Sequence, residues 1–196
     1  MKLGIMQGRL VKPVGNHIQQ FPEKDWTVEF HRLNELNLNH IEWLVTKECF
    51  LSNPLMDTSC DLQSYSISSI CADNLVDTKI GDETFLNENL IPICYAALRN
   101  KIDNITIPLL EDSDLDDDQK RNKFIVAITK IAKRFPTLNF TFEAELEPIK
   151  LLEILNESDN FYVTYDTGNI TSCGFNHYEY INFFSSKINN VHLKDR

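Results

Sequence analysis

The sequence predicts an α/β fold, a parallel (β/α) TIM barrel of about seven strands, incomplete by the eighth that would close it. Three observations lead there. Short runs rich in Ile, Val and Phe alternate with longer stretches of helical periodicity along all 196 residues. The runs are apolar on both faces, as strands of a parallel sheet covered on both sides must be. The competing architecture, a doubly wound open sheet, should show a glycine-rich phosphate turn after its first strand, and MQGRL has one glycine and no GxGxxG. No Gly/Ser/Pro-rich linker interrupts the alternation, so residues 1–196 read as a single domain.

The first strand, Leu3–Gln7, runs into Gly8, which frees the turn. Behind Asp25, a candidate N-cap, Trp26, Phe30, Leu33 and Leu36 recur at helical spacing. Strands His40–Val45 and Ser66–Cys71 follow, then a helix over part of Asp82–Arg99 that Pro92 must kink or start. After strand Asn104–Leu109 the run Glu111–Asp118 holds six carboxylates in eight residues. It lacks the glycine and terminal glutamate of an EF-hand loop, so it reads as a solvated loop and helix start. The next helix buries Phe124, Ile128, Ile131 and Phe135 and ends before Pro136. Asp116 to Asp118 at its start and Lys130, Lys133 and Arg134 at its end complement the helix dipole. Strand Asn139–Phe142 precedes Glu147-Pro148, where proline opens a helix with Leu152 and Leu155 on one face. Strand Phe161–Tyr165, a helix over Asn176–Ser186 and strand Asn190–Leu193 complete the series.

Composition narrows the function classes. No run approaches the ~18 apolar residues of a membrane span, and MKLGIMQGRLVK has no signal-peptide core, so a cytoplasmic protein without membrane contact is expected. The net charge of −10 opposes a phosphate backbone as partner. Five cysteines, odd in number and without a CxxC pair, argue against a disulfide framework or zinc-thiolate site.

In a parallel barrel the carboxyl ends of the strands share one face. Glu143 ends the fifth strand, Asp166 the sixth and His192 the seventh, at spacings of 23 and 26 residues, each about one βα unit. Two carboxylates and an imidazole brought together suit a divalent metal, Mn, Mg, Co or Zn, with no choice among them. The bland alternative is that the acids cap the following helices and the histidine is structural. Arg9, Lys194 and Arg196 fall on the same face, where a phosphate or sugar hydroxyls could be met, against the plain reading of solvated loop charges. His177 follows the sixth strand by a loop and could reach a substrate. His17, His31 and His40 have no partner pattern.

Taken together, GIMQGRL, IQQFP with the later W and EF, HIEWLV, SISSICAD, YDTGN and VHLKDR resemble the xylose-isomerase-like TIM-barrel superfamily, in particular its sugar phosphate isomerase/epimerase branch, from residue 1 to residue 196. The resemblance implies a metal at the carboxyl face with Glu143, Asp166 and His192 as three of its ligands. Glu42 and Asp73 match acidic positions ending strands two and three. Arg9, Glu42, Asp73, Asn169 and Lys194 are then the candidate substrate-binding residues. The implied reaction moves a proton beside a carbonyl through an enediolate, in carbohydrate metabolism, with Glu143 as ligand and one of two acid/base groups. The other is a glutamate on strand eight, which lies beyond Arg196 in the family pattern, so activity is in question. Related apurinic endonucleases need a histidine three residues after the strand-six aspartate; Asn169 stands there. The expected partner is a small sugar or sugar phosphate, with a homo-oligomer as a way to cover open barrel edges. The alternatives are a noncatalytic binding or assembly protein and, more remotely, a hydrolase or lyase on the same metal site.

Overall fold

A computed structural model describes residues 2–13 and 19–194; His17 and Arg196 lie outside the described residues. Among the described residues seven strands form one sheet: β1 Gly4–Met6, β2 His40–Leu44, β3 Ile67–Cys71, β4 Asn104–Leu109, β5 Asn139–Ala144, β6 Phe161–Asp166 and β7 Ile188–His192. Each pairs in parallel with the next in sequence, in the order β1 to β7. The expected strands are therefore all present, with β7 starting two residues earlier than the sequence suggests.

The sheet is curled. Strands β2 and β7 are five steps apart in the order, about 24 Å if the sheet were flat, yet His192 Nε2 lies 2.6 Å from Glu42 Oε2. Seven parallel strands with helices between them make a half-barrel, and its two faces differ in chemistry. Registered pairs Ile105 with Phe140 and Ile107 with Phe142 point outward, and Phe124 of the covering helix meets the Phe142 ring edge-on with centroids 6.0 Å apart. The alternate pairs point inward and are polar: Thr106 faces Thr141 across β4–β5, and Thr141 and Thr164 share a buried 2.7 Å hydrogen bond.

The helices follow from local sequence. Helix α1, Trp26–Glu35, buries Phe30 and Leu33, and its Trp26 packs with Phe21 and Phe30 around Trp43 of β2. Asp25 stands at its N-cap but its side chain makes no capping hydrogen bond. Pro92 starts a helix rather than kinking one: α2, Glu83–Asn89, gives way at Leu90 to α3, Ile91–Asn100. Helix α4, Asp118–Arg134, is capped by Asp117, which accepts from the Lys120 amide at 2.8 Å, a contact worth about 1 kcal/mol. Pro148 opens α5, Pro148–Leu155. Helix α7, His177–Phe184, is capped by Asn176. A short helix that sequence periodicity does not show, α6, Thr167–Ser172, follows β6 directly. Among the described residues no helix is long and apolar enough to cross a membrane.

The turn after β1 shows why glycine is needed there. Gly8 has φ +88°, and a Cβ would sit 2.5 Å from the Gln20 carbonyl oxygen. The same turn is held by Glu29, a fully buried carboxylate of α1 that accepts from the amides of Gly8 and Leu10.

Candidate metal centre

Strands β5, β6 and β7 end side by side, and each delivers one group to the same spot. Registered pairing puts Asp166 beside His192 across β6–β7. One donor atom from each of Glu143, Asp166 and His192 lies within 4.8 Å of the others. His192 Nδ1 stands 3.3 Å from Glu143 Oε2 and 3.6 Å from Asp166 Oδ2. Donors bonded tetrahedrally at about 2.0–2.1 Å are about 3.3 Å apart, so the spacing suits a first-row divalent ion.

The hydrogen bonding points the same way. Asp166 divides its two oxygens: Oδ1 accepts from the Asn169 amide at 2.9 Å and caps α6, while Oδ2 faces the site. Asp166 Oδ2 and His192 Nδ1 are both buried with no aligned hydrogen-bond partner, although Lys194 Nζ forms an ion pair with Oδ2 at 2.7 Å. Among the described residues neither atom has a well-aligned hydrogen bond, which buried polar atoms ordinarily have. The residues present fit a divalent metal: two carboxylate oxygens and one imidazole nitrogen, facing each other, with further positions left for ligands. The helix-capping and metal readings of Asp166 are thus compatible, one per oxygen.

Lys194 Nζ also lies 3.1 Å from Glu143 Oε1, which accepts in addition from Asn169 Nδ2 at 3.0 Å. On the far side of the imidazole, Glu42 Oε1 accepts from the Thr106 hydroxyl at 2.6 Å. Burial alone would depress the His192 ring, but Glu42, Asp166 and Glu143 around it push it up to about 12. Burial would raise Asp166, yet His192, Lys194 and the Asn169 amide hold it well below the usual carboxylate range. Burial likewise opposes, and the His192 cation with the Thr106 hydroxyl outweighs, so that Glu42 is held low. Lys194 is desolvated but lifted by Glu143 and Asp166. Three carboxylates, Glu42, Glu143 and Asp166, therefore surround two cations, His192 and Lys194.

The remaining candidates sit at different depths. Asn169 is 1% exposed and spends its amide on Glu143. Asp73, just past β3, accepts from Gln19 Nε2 at 3.4 Å, and Gln19 in turn accepts from Arg9 at 3.5 Å, so the two loops meet above the sheet. Burial pushes the Asp73 carboxyl up to about 6, helped by Glu48, Glu111 and Glu143. His177 is kept from the site: its Nδ1 meets the Tyr165 hydroxyl at 2.5 Å and its Nε2 the Thr171 hydroxyl at 3.1 Å. The EF motif contains Glu29 but assigns it no role, although its place three residues after Trp26 puts a charge on the buried stripe of α1. Gln7 at the end of β1, 1% exposed and accepting from the Leu44 amide, lies within GIMQGRL, a motif that assigns it no role of its own.

No family model matches the sequence, and no curated relative is significantly similar to it. Solved structures do match over nearly all of the chain. An AP endonuclease, family 2, from Brucella melitensis has a TM-score of 0.71 at 12% identity, over 98% of this chain and 79% of its own. A D-allulose 3-epimerase from Methylomonas sp. has a TM-score of 0.70 at 12% identity, over 99% of this chain and 73% of its own. The IOLI protein, solved with a binding zinc atom, has a TM-score of 0.68 at 15% identity, over 100% of this chain and 73% of its own. The chain shares its fold with a xylose isomerase domain protein from Planctomyces limnophilus, at a TM-score of 0.63 and 10% identity over 97% of this chain and 72% of that one.

Proposed function

We propose that the chain is a divalent-metal-dependent sugar or sugar phosphate isomerase/epimerase, with Glu143, Asp166 and His192 holding the metal. The observation that carries this reading is the convergence of three buried donor atoms, Glu143 Oε2, Asp166 Oδ2 and His192 Nδ1, at the carboxyl ends of adjacent strands. The metal would be Mn, Mg, Co or Zn, and when bound it would polarise carbonyl and hydroxyl oxygens of a substrate. The structural neighbours include an epimerase and a zinc-bound protein of the same fold, which supports the reading at the level of analogy.

The chain's own residues supply the rest. His192 would hold the metal through Nδ1, with that nitrogen deprotonated. Glu143, with one oxygen held by Asn169 and Lys194, keeps the other beside the reacting position as the group that takes and returns a proton. Lys194 is 43% exposed at its side chain, and its ammonium balances negative charge where a substrate oxygen would lie. Asp73, Arg9 and Gln19 form the polar rim that a sugar would meet, and Glu42 and Asn169 bound the pocket floor. Metal analysis of the purified protein beside Glu143→Gln and His192→Ala tests this: about one metal per chain in the parent and loss in both variants are expected. Equal metal content in all three would sink the site.

A second reading, a noncatalytic assembly protein, is favoured by Val191 of β7 and Leu193 just past it, which are 51% and 77% exposed. Sedimentation across a concentration series tests it; a concentration-independent monomer counts against it.

A further inference from the structure

We propose that Glu42 is the positioning residue of His192: it takes the Nε2–H of the ring and so fixes the imidazole with Nδ1 turned to Glu143 and Asp166, without being a ligand itself. The proposal rests on the reading of Glu143, Asp166 and His192 as the metal-holding set.

The geometry has three parts. His192 presents its two nitrogens to opposite partners, Nε2 to Glu42 Oε2 at 2.6 Å and Nδ1 to Glu143 Oε2 at 3.3 Å. Because the ring is planar, holding one nitrogen aims the other. Glu42 is itself held: it is 7% exposed, its Oε1 accepts from the Thr106 hydroxyl of β4 at 2.6 Å, and Asn190 Nδ2 of β7 lies 3.5 Å from the same oxygen. Finally, Glu42 reaches His192 from the opposite side of the half-barrel, over a separation of 150 residues, so the orientation of the ring depends on the curl of the sheet. A carboxylate on the outer nitrogen of a metal-bound histidine fixes its tautomer and raises its basicity, and losing such a partner costs about 10–100-fold in metal affinity.

The test titrates Zn²⁺ against the full chain and its Glu42→Leu, Glu42→Gln, Glu143→Gln and His192→Ala variants, with far-ultraviolet circular dichroism to confirm folding. Long-range ¹H–¹⁵N spectra of the zinc-loaded parent then show which nitrogen of His192 carries the proton. Expected are a proton on Nε2, zinc on Nδ1, and an affinity about 10–100-fold weaker in Glu42→Leu. Glu42→Gln keeps an oxygen that accepts the Nε2–H and is expected to lose less than about tenfold, which keeps the test alive if the leucine variant does not fold. Unchanged affinity in both Glu42 variants while His192→Ala loses zinc overturns the positioning role and leaves the site standing. Zinc on Nε2, or a loss in Glu42→Gln as deep as in Glu143→Gln, makes Glu42 a ligand and overturns it too. Zinc binding that is absent, or indifferent to His192→Ala, removes the metal reading and the proposal together.

Discussion

The two faces of the one sheet obey different rules. Outward, Phe140, Phe142 and Phe161 pack with one another edge-on, at centroid distances of 6.2 Å for Phe140–Phe161 and 5.2 Å for Phe142–Phe161, and nothing there needs a hydrogen bond. Inward, Glu42, Thr106, Thr141, Thr164, Asp166 and His192 are held by polar partners, mostly one another, with Asn169 and Lys194 at Asp166. Barrel interiors of this class are ordinarily filled by branched apolar side chains. A polar interior gives up that hydrophobic gain, so its residues hold their places through specific partners. The difference teaches that apolar packing lies mainly outside the half-barrel, while the buried polar and charged groups lie inside it.

Deleting a group from each face separates the two roles. Phe142→Ala is expected to cost about 3–5 kcal/mol in urea unfolding through the cavity it leaves, with zinc or manganese affinity unmoved. His192→Ala is expected to cost a similar amount, about 3–5 kcal/mol without metal, because Glu42 and Asp166 lose their buried partner. That cost should shrink at acid pH as the carboxylates take up protons, whereas the Phe142 cost should not. A Phe142 variant with altered metal affinity would blur the division.

The threonine pair gives a sharper, smaller test. Thr141→Val or Thr164→Val alone strands a buried hydroxyl and is expected to cost about 1–3 kcal/mol. The double variant leaves nothing unpaired and is expected to cost less than the sum of the two. Strict additivity in that cycle would show that the inner hydroxyls are not a mutually dependent pair.

Asp73 reports the electrostatics of the rim. Its carboxyl titrates near 6 in the fold against an ordinary 3.8, so the folded chain holds an extra proton between those values. Stability therefore falls as pH rises through that window. Asp73→Asn removes the penalty and is expected to raise stability by about 1–2 kcal/mol at pH 7, after discounting for solvent screening, and by nothing at pH 3.5. Equal gains at both pH values would place the cause in packing rather than charge.

Local pattern reveals much of the fold here because each unit is short and repeats. The outer-face residues of β4 and β5 announce themselves as apolar runs, and Pro148 and Asp117 mark helix starts by their backbone chemistry. Glu143, Asp166 and His192 were legible because strand ends in a parallel sheet share a face. Helix α6 was not, since Thr167–Ser172 contains glycine, threonine and serine and is held by its Asp166 cap. The depth of each candidate was also hidden: nothing in YDTGN tells that Asn169 is buried under Glu143. The Glu42–His192 contact depends on which way two side chains point on strands 150 residues apart, and only the curl of the sheet settles that.

Metal-dependent stabilisation tests the inner face most directly. Thermal unfolding of the parent is followed in increasing Zn²⁺, Mn²⁺ or Co²⁺, beside Glu143→Gln. Binding to the folded state alone is expected to raise the parent's stability with concentration, by about 2.7 kcal/mol at one hundred times the dissociation constant, and to leave Glu143→Gln nearly unmoved. Unfolding that none of the three ions shifts in the parent, or that shifts equally in Glu143→Gln, would contradict a metal centre at the ends of β5, β6 and β7.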